Sequence, residues 1–355
     1  MANSIIAGVS PTFGLQGAWM MNILNSILGG KPGMIYGAST YVSVSLIALV
    51  MNEGKEYIFY ALILSGIMQF IFGLFRLGAI FRLIPFPALH GFSTAMSFII
   101  VLNQVRLARN LPDQVFVRLG FSWQNLLDGT NHGSWYSSSQ LLFLGLETAI
   151  SFGIMVFVDL FFKRRRVPSA LIAILICVAI EHGLLRTLTK YRTPSIYSLG
   201  EVRTPFVQDI WTQQNFSLPP LTLDTLRKIY VTSLAIFGSN LMENALTQRC
   251  LDERTNSHWN VNRTILSNGV ATVVTAIFGG FSGSGSVSQS LVLLQGHGVS
   301  RLSTFLTGVF TMVFIYFAYD AIKFIPIGAV AGVMLWTVRF LTRVDIICSN
   351  IHVFS

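Results

Sequence analysis

Apolar residues in this sequence come in long, nearly uninterrupted blocks, and that arrangement leaves few folds open to it. A window of about 20 residues, the length a helix needs to cross a bilayer core of roughly 30 Å, separates about 12 blocks. They lie near 1–12, 13–28, 35–51, 57–79, 85–106, 141–162, 168–186, 228–248, 262–278, 286–297, 302–319 and 321–341. Several are too short to span alone. Of the 355 residues, 52% are hydrophobic and 11% charged, against about 25% charged in soluble domains. Such a chain cannot cover a soluble surface. The expectation is an all-α polytopic membrane protein, and the 28 Phe suit lipid-facing surfaces.

The formal charge of +9 does not signal nucleic acid, because the cations sit between apolar blocks and read as loop placement under the positive-inside rule. Arg76 and Arg82 follow the fourth block, and Lys163 to Arg166 the sixth. Arg249, Arg254 and Arg263 follow the eighth, and Arg339 and Arg343 close the twelfth. All come after even-numbered blocks, so they share one face, taken as cytoplasmic. The long connections near 107–140 and 187–227 then lie outside, where Asn215-Phe216-Ser217 forms a sequon. Cys177, Cys250 and Cys348 lie far apart with no CxxC and no His cluster, so neither a metal site nor a disulfide framework is expected. Met1 is followed at once by a span-like block, which argues against a cleavable signal peptide.

Two glycine-rich stretches interrupt the pattern. The first runs from Gly29-Gly30-Lys31-Pro32-Gly33 through Gly37-Ala38-Ser39-Thr40. The second runs from Gly279-Gly280-Phe281-Ser282-Gly283 through Gly285-Ser286-Val287-Ser288-Gln289. Each opens on a glycine pair, passes through small residues in an extended stretch, and enters a short apolar block that reads as a half-helix beginning near Gly37 or Gly285. These are the third and tenth blocks. Their offset of seven is odd, so the two copies run in opposite directions through the membrane. Interrupted segments at corresponding places in two halves are the sequence pointer to a transporter binding site. The first turn of a helix carries unsatisfied N–H groups and a partial positive charge. Two such ends facing each other at the midplane suit an anion without a buried Lys or Arg. Hydroxyls of Ser39, Thr40, Ser286 and Ser288 are candidate neutral donors. The structural alternative is that these small residues are close-packing positions between helices.

With these residues in view, the sequence resembles the sulfate permease (SulP) family, including its bacterial and cyanobacterial bicarbonate branches. Ala7-Gly8-Val9-Ser10-Pro11-Thr12-Phe13-Gly14-Leu15 is similar to the family's AGxxPxxGLY element, with Gln16 in place of the Tyr. Phe72-Gly73-Leu74-Phe75-Arg76-Leu77-Gly78 is similar to GxxRLG, and Ile84 to Phe92 to IPxPVxxGF. Met242 to Thr247 with Asp252-Glu253-Arg254-Thr255 resembles xESLLT…DExT. Arg301-Leu302-Ser303 and Ile325 to Ala329 resemble the later RLS and IPxAA elements. The resemblance implies two inverted seven-helix repeats split into core and gate domains, with about 12 of the 14 helices present. Residues 1–166 hold helices 1–6 of the first repeat, and 167–355 hold helix 7 and helices 8–12 of the second. The upstream half of the first helix, the last two helices and the cytoplasmic STAS domain lie outside this expected extent, and the stretch 348–355 matches no family element. The implied anion site is formed by Asn3, Ser39, Thr40, Gly285, Ser286, Ser288 and Gln289. Asn3 stands where the family often has an aromatic. Gln289 stands where many animal members have Arg, which leaves the helix ends as the main positive element.

Glu243 lies inside the eighth block, where the family frequently has an acid. An ionisable group within a span is costly and faces a cavity or a partner. It is the candidate for H⁺ or Na⁺ coupling, with Thr247 four residues on along the same helical face; the plainer reading is a hydrogen bond to irregular backbone. Glu147, Asp159, Glu181 and His182 read as packing or interfacial positions, and Asp320 with Lys323 as a pair at a helix end. Gln69, His90, Asn103 and Gln104 read as interhelical hydrogen-bonding residues. The expected function is secondary active transport of an anion by an elevator-like alternating-access movement. Sulfate comes first, then bicarbonate, a dicarboxylate or chloride, by symport or exchange. A nucleobase-type permease of the same fold is the alternative, though such permeases use a carboxylate on the tenth helix and none lies between Gly279 and Ser300. A non-transporting membrane scaffold is a third. No HExxH, GxSxG or Walker A motif suggests an enzyme. No cofactor is expected beyond a coupling Na⁺ or H⁺. The expected partners are a small anion, the lipid bilayer and, as an open point, a second copy in a homodimer, with no nucleic acid. The expected location is the plasma membrane.

Overall fold

The computed structural model describes residues 3, 4, 7, 9, 11–82, 85–106, 137–161, 169–185, 220, 222–322 and 324–342. The basic run at 163–166, the sequon at Asn215, Lys323, Arg343 and the stretch 348–355 lie outside them. In chain order the elements are α1 (Pro11–Leu28), β1 (Tyr36–Ala38), α2 (Thr40–Asn52), α3 (Ile58–Leu74), α4 (Phe86–Arg106), α5 (Ser138–Phe161), α6 (Ser169–Ala179), α7 (Leu223–Thr255), α8 (Val261–Ile277), β2 (Gly283–Gly285), α9 (Val287–Gln295), α10 (Arg301–Ile322) and α11 (Ile327–Thr342). The helices α1 to α11 correspond in order to the second to twelfth apolar blocks.

Two features depart from the expectation. The extended stretches are not loops but two three-residue strands, paired antiparallel with Tyr36 opposite Gly285, Gly37 opposite Ser284 and Ala38 opposite Gly283. The half-helices therefore start at Thr40 and Val287, two or three residues beyond the glycines. Also, α7 is 33 residues long, about 50 Å at 1.5 Å per residue, and overruns the block read from hydropathy. Its ends are polar and are closed by caps. The Thr222 hydroxyl accepts from Thr225 N–H, and Asn256 adopts the left-handed conformation at φ 46°. Among the described residues, Cys177 is a free buried thiol.

The packing is inverted relative to a soluble protein. Large apolar side chains cover the outside, with Val231 72%, Phe310 67% and Phe317 79% exposed, while Asn25, Ser267 and Asn268 are fully buried. With hydrocarbon as the outer solvent, apolar exposure costs nothing and polar groups gather inside, where they find one another. Asn25 Oδ1 accepts from the Ser267 hydroxyl at 3.0 Å, and Asn268 Nδ2 donates to Gln69 Oε1 at 2.9 Å. Gln69 is thus interhelical as read, whereas Gln104 donates within its own helix to Ile100 O at 3.1 Å. Glu147 packs against Gly328 of α11, and His182 lies 3.0 Å from Phe324 O, both helix-packing roles.

The helices fall into two groups. α1, α2, α3, α7, α8, α9 and α10 pack around the strand pair, while α5 and α11 pack together with α4 and α6. In the second group the Ser151 hydroxyl donates to Ala329 O at 3.0 Å, and Met155, Ala173 and Trp336 form a small apolar core. This division agrees with the core and gate groups that the resemblance implies. Tyr41 of α2 stacks on Phe92 of α4 at 5.1 Å across the boundary.

Glycines let α3 and α8 approach closely. A Cβ on Gly269 would sit 2.6 Å from Phe70 N and 2.9 Å from Gly66 O, and one on Gly73 would sit 2.9 Å from Leu266 N. Backbone cannot yield there. Gly269→Leu is therefore expected to abolish folding or lower the unfolding midpoint sharply, while Gly145→Ala on α5, with open space around its Cα, leaves the midpoint unchanged or slightly raised. Thermal unfolding of the two detergent-solubilised variants checks both.

Candidate functional site

At membrane depth every main-chain polar group of an irregular segment needs a partner within the protein. The strand pair meets this demand with side chains from five helices. Tyr36 N–H donates to Asn22 Oδ1 of α1 at 2.8 Å, Ile35 N–H to Ser290 Oγ of α9 at 2.9 Å, and Gly285 N–H to Asn244 Oδ1 of α7 at 2.9 Å. Carbonyls are served as well. Thr247 donates to Gly285 O at 2.7 Å, Thr304 of α10 to Met34 O at 3.2 Å, and Asn268 of α8 to Gly283 O at 3.2 Å. Ser286 N–H adds a backbone bond to Ile35 O at 2.9 Å. Gly283 must be glycine, because a Cβ there would collide with the Gly37 carbonyl.

This frame holds the N-termini of α2 and α9 on either side of the pair. Ser39 caps α2, its oxygen accepting from Tyr41 N–H at 3.2 Å. Ser286 occupies the cap position of α9 without a side-chain bond to the helix. Its hydroxyl instead lies 3.4 Å from that of Ser288.

The expected site residues divide into two sets. Glu243, Thr247, Ser39 and Gly285 come together as one bonded cluster. The Glu243 carboxylate accepts from the hydroxyls of Ser39 and Ser284 on the same oxygen, and so ties the cap of α2 to β2. Its partners are hydroxyls, not the irregular backbone. Thr247, one turn on, holds Gly285 through its carbonyl. Asn3 and Thr40 form a second contact. The Thr40 hydroxyl donates to Asn3 Oδ1 at 3.0 Å and Asn3 Nδ2 donates to Ala38 O. The Ser39 and Thr40 hydroxyl protons are therefore occupied within the protein. Ser286 and Ser288 are half-buried and Gln289 is exposed, so these three face accessible space.

Residues that carry the frame but escaped the sequence reading are Asn22, Asn244, Ser284, Ser290 and Thr304. Each is a short polar residue on an apolar helix or strand, and Asn244 directly follows the acid that was singled out.

The loop before β1 is anchored by a buried ion pair. Lys31, 4% exposed, pairs with Asp252 near the end of α7 and donates to the Ser257 hydroxyl at 2.8 Å. Removing one member of a buried pair strands the other charge. Lys31→Met is expected to destabilise by about 3 kcal/mol, the low end of that range because Asp252 keeps some solvent contact. The double variant Lys31→Met/Asp252→Leu is expected to recover most of the loss. Chemical unfolding of both checks this, and equal destabilisation in the two would contradict it.

The model of the sulfate permease family matches residues 1–353. YbaR of Bacillus subtilis is 30% identical over 94% of this chain and 61% of its own length. The bicarbonate transporter BicA of Synechocystis is 24% identical over 95% of this chain and 56% of its own length. The chain thus spans about 60% of the length of these relatives. The solved transmembrane domain of a cyanobacterial BicA superposes with a TM-score of 0.79 at 22% identity, covering 96% of this chain and 83% of that domain.

Proposed function

The chain belongs to the sulfate permease family, a family of multi-pass membrane transporters and not of enzymes, and on that premise we propose that it carries a small inorganic or organic anion by secondary active transport. The anion sits between the N-termini of α2 and α9, against Ser286, Ser288 and Gln289, with the first-turn amides of both helices as donors. Sulfate is the leading substrate, in line with the family description, and bicarbonate follows from the name of the BicA relative. The core group moves as an elevator against the gate group α4, α5, α6 and α11.

The observation that carries the proposal is the Glu243 carboxylate bonded to both openings through Ser39 and Ser284. Each helix N-terminus carries about half a positive charge, so the opposed pair supplies about one unit. An ionised Glu243 cancels it, and a second anion then gains little. A proton or Na⁺ on the carboxylate restores the positive end charge and frees the two serine hydroxyls to turn toward substrate. Coupling follows from charge balance, and the cation enters with the anion. Thr247 would offer its hydroxyl oxygen to Na⁺ beside the Gly285 carbonyl.

Flux into proteoliposomes with labelled sulfate, bicarbonate, succinate and uracil tests the substrate class. Anion uptake driven by an inward H⁺ or Na⁺ gradient is expected, without uracil uptake. Uracil uptake alone would favour the nucleobase reading, and no flux by a folded protein would reject transport by this chain. Glu243→Gln carries the neutral form permanently. It is expected to lose most gradient-driven uptake, roughly tenfold or more for about 1.4 kcal/mol of coupling, while equilibrium anion binding is retained and matches, within about twofold, that of the cation-loaded wild type. Equal loss of both, or of neither, would reject the coupling role.

A further inference from the structure

Away from the midplane, the connections before β1, between α7 and α8, and between α9 and α10 meet on the face that the cation distribution marks as cytoplasmic. Trp259, between α7 and α8, is approached there by two arginines. The Arg301 guanidinium lies 4.9 Å from the centre of its indole ring and that of Arg263 lies 5.8 Å from it. The two charges are thus at most 10.7 Å apart, about one Debye length at 0.1 M ionic strength. The acids of the neighbouring turn are engaged elsewhere, Asp252 with Lys31 and Glu253 with Arg249 at 3.6 Å. Among the described residues no carboxylate pairs with Arg263 or Arg301. Arg263 also lies over Gly29 at the end of α1, which brings apolar side chains beside the cations. Ile27 is 65% exposed, and Leu302 and Val299 are 63% and 55% exposed.

Two uncompensated guanidiniums on one indole, bordered by exposed aliphatic side chains at a helix-end boundary, are complementary to one chemistry. We propose that this is a binding site for the phosphate headgroup of an anionic phospholipid of the inner leaflet, with the acyl chains along Ile27 and Leu302. Guanidinium matches phosphate oxygens bidentately. Tryptophan favours the boundary between headgroup and hydrocarbon, and basic pockets between helix ends on this side suit lipid headgroups. The aliphatic border selects a lipid over a free anion. The site is distinct from the anion site and does not depend on the transport reading.

The test is native mass spectrometry of the purified full chain titrated with phosphatidylglycerol, phosphatidylcholine or inorganic phosphate. Arg263→Gln and Arg301→Gln are each expected to weaken phosphatidylglycerol binding about fivefold, the weight of one basic residue at an anionic surface, and the double variant about 25-fold. Arg227→Gln, at the far end of α7, is expected to leave it unchanged. Phosphatidylglycerol binding by the double variant at wild-type strength would overturn the proposal. So would arginine-dependent binding of inorganic phosphate with no preference for phosphatidylglycerol over phosphatidylcholine. Should the double variant not purify as a single species, Arg263→Gln alone, at an exposed side chain, carries the test.

Discussion

Three residues on each of two crossing segments, paired antiparallel inside a membrane protein, set the terms for the rest of this structure. A strand pair of that length has little stability of its own, and each unpaired amide at that depth would cost several kcal/mol. It persists because Asn22, Asn244, Thr247, Asn268, Ser290 and Thr304 reach it from α1, α7, α8, α9 and α10. The polar interior of the core group is the consequence. Helices that would otherwise be uniformly apolar must each bring a polar residue to one place, and the lipid-facing side is left to Phe, Leu and Val.

The same pair fixes where charge resides. Breaking two helices at the midplane exposes two positive ends, and Glu243 is the single acid bonded to the openings of both. The site is balanced with its carboxylate ionised and positive with it neutralised. On the proposed reading, binding of a cation at Glu243 and of an anion at the helix ends is one coupled event. The gate group shares little bonding with this frame. Its own contacts, such as Ser151 with Ala329 and Met155 with Trp336, are internal, so a relative movement of the two groups would leave the site intact.

Much of this was legible in the sequence, and the limits are physical. Helix order followed from apolar block length, since a helix of about 20 apolar residues satisfies its own backbone across a bilayer. The two glycine stretches marked where the helices are interrupted, because irregular backbone needs small residues. The strands were not legible. Tyr-Gly-Ala and Gly-Ser-Gly carry no alternation and little β-propensity, and their pairing joins residues more than two hundred positions apart. Hydroxyl roles were also beyond reach. Ser39 and Thr40 were read as free donors for an anion, but Glu243 and Asn3 take their protons, which depends on the rotation of helices packed alongside. Gln104 was read as interhelical and bonds instead to its own turn, a choice that local geometry makes and composition does not record. Trp259 with its two arginines left no motif, because Arg301, at the start of α10, joins Trp259 and Arg263 only in the folded chain.

The claim at the centre is that the paired half-helix ends hold the anion. Anomalous diffraction, or density maps compared with and without selenate as a heavy mimic of sulfate, tests it most directly. The account predicts a selenium peak within hydrogen-bond reach of the first-turn amides of both α2 and α9, beside Ser288. A peak elsewhere in a protein competent for transport, or one touching a single helix end with the other left empty, would contradict it.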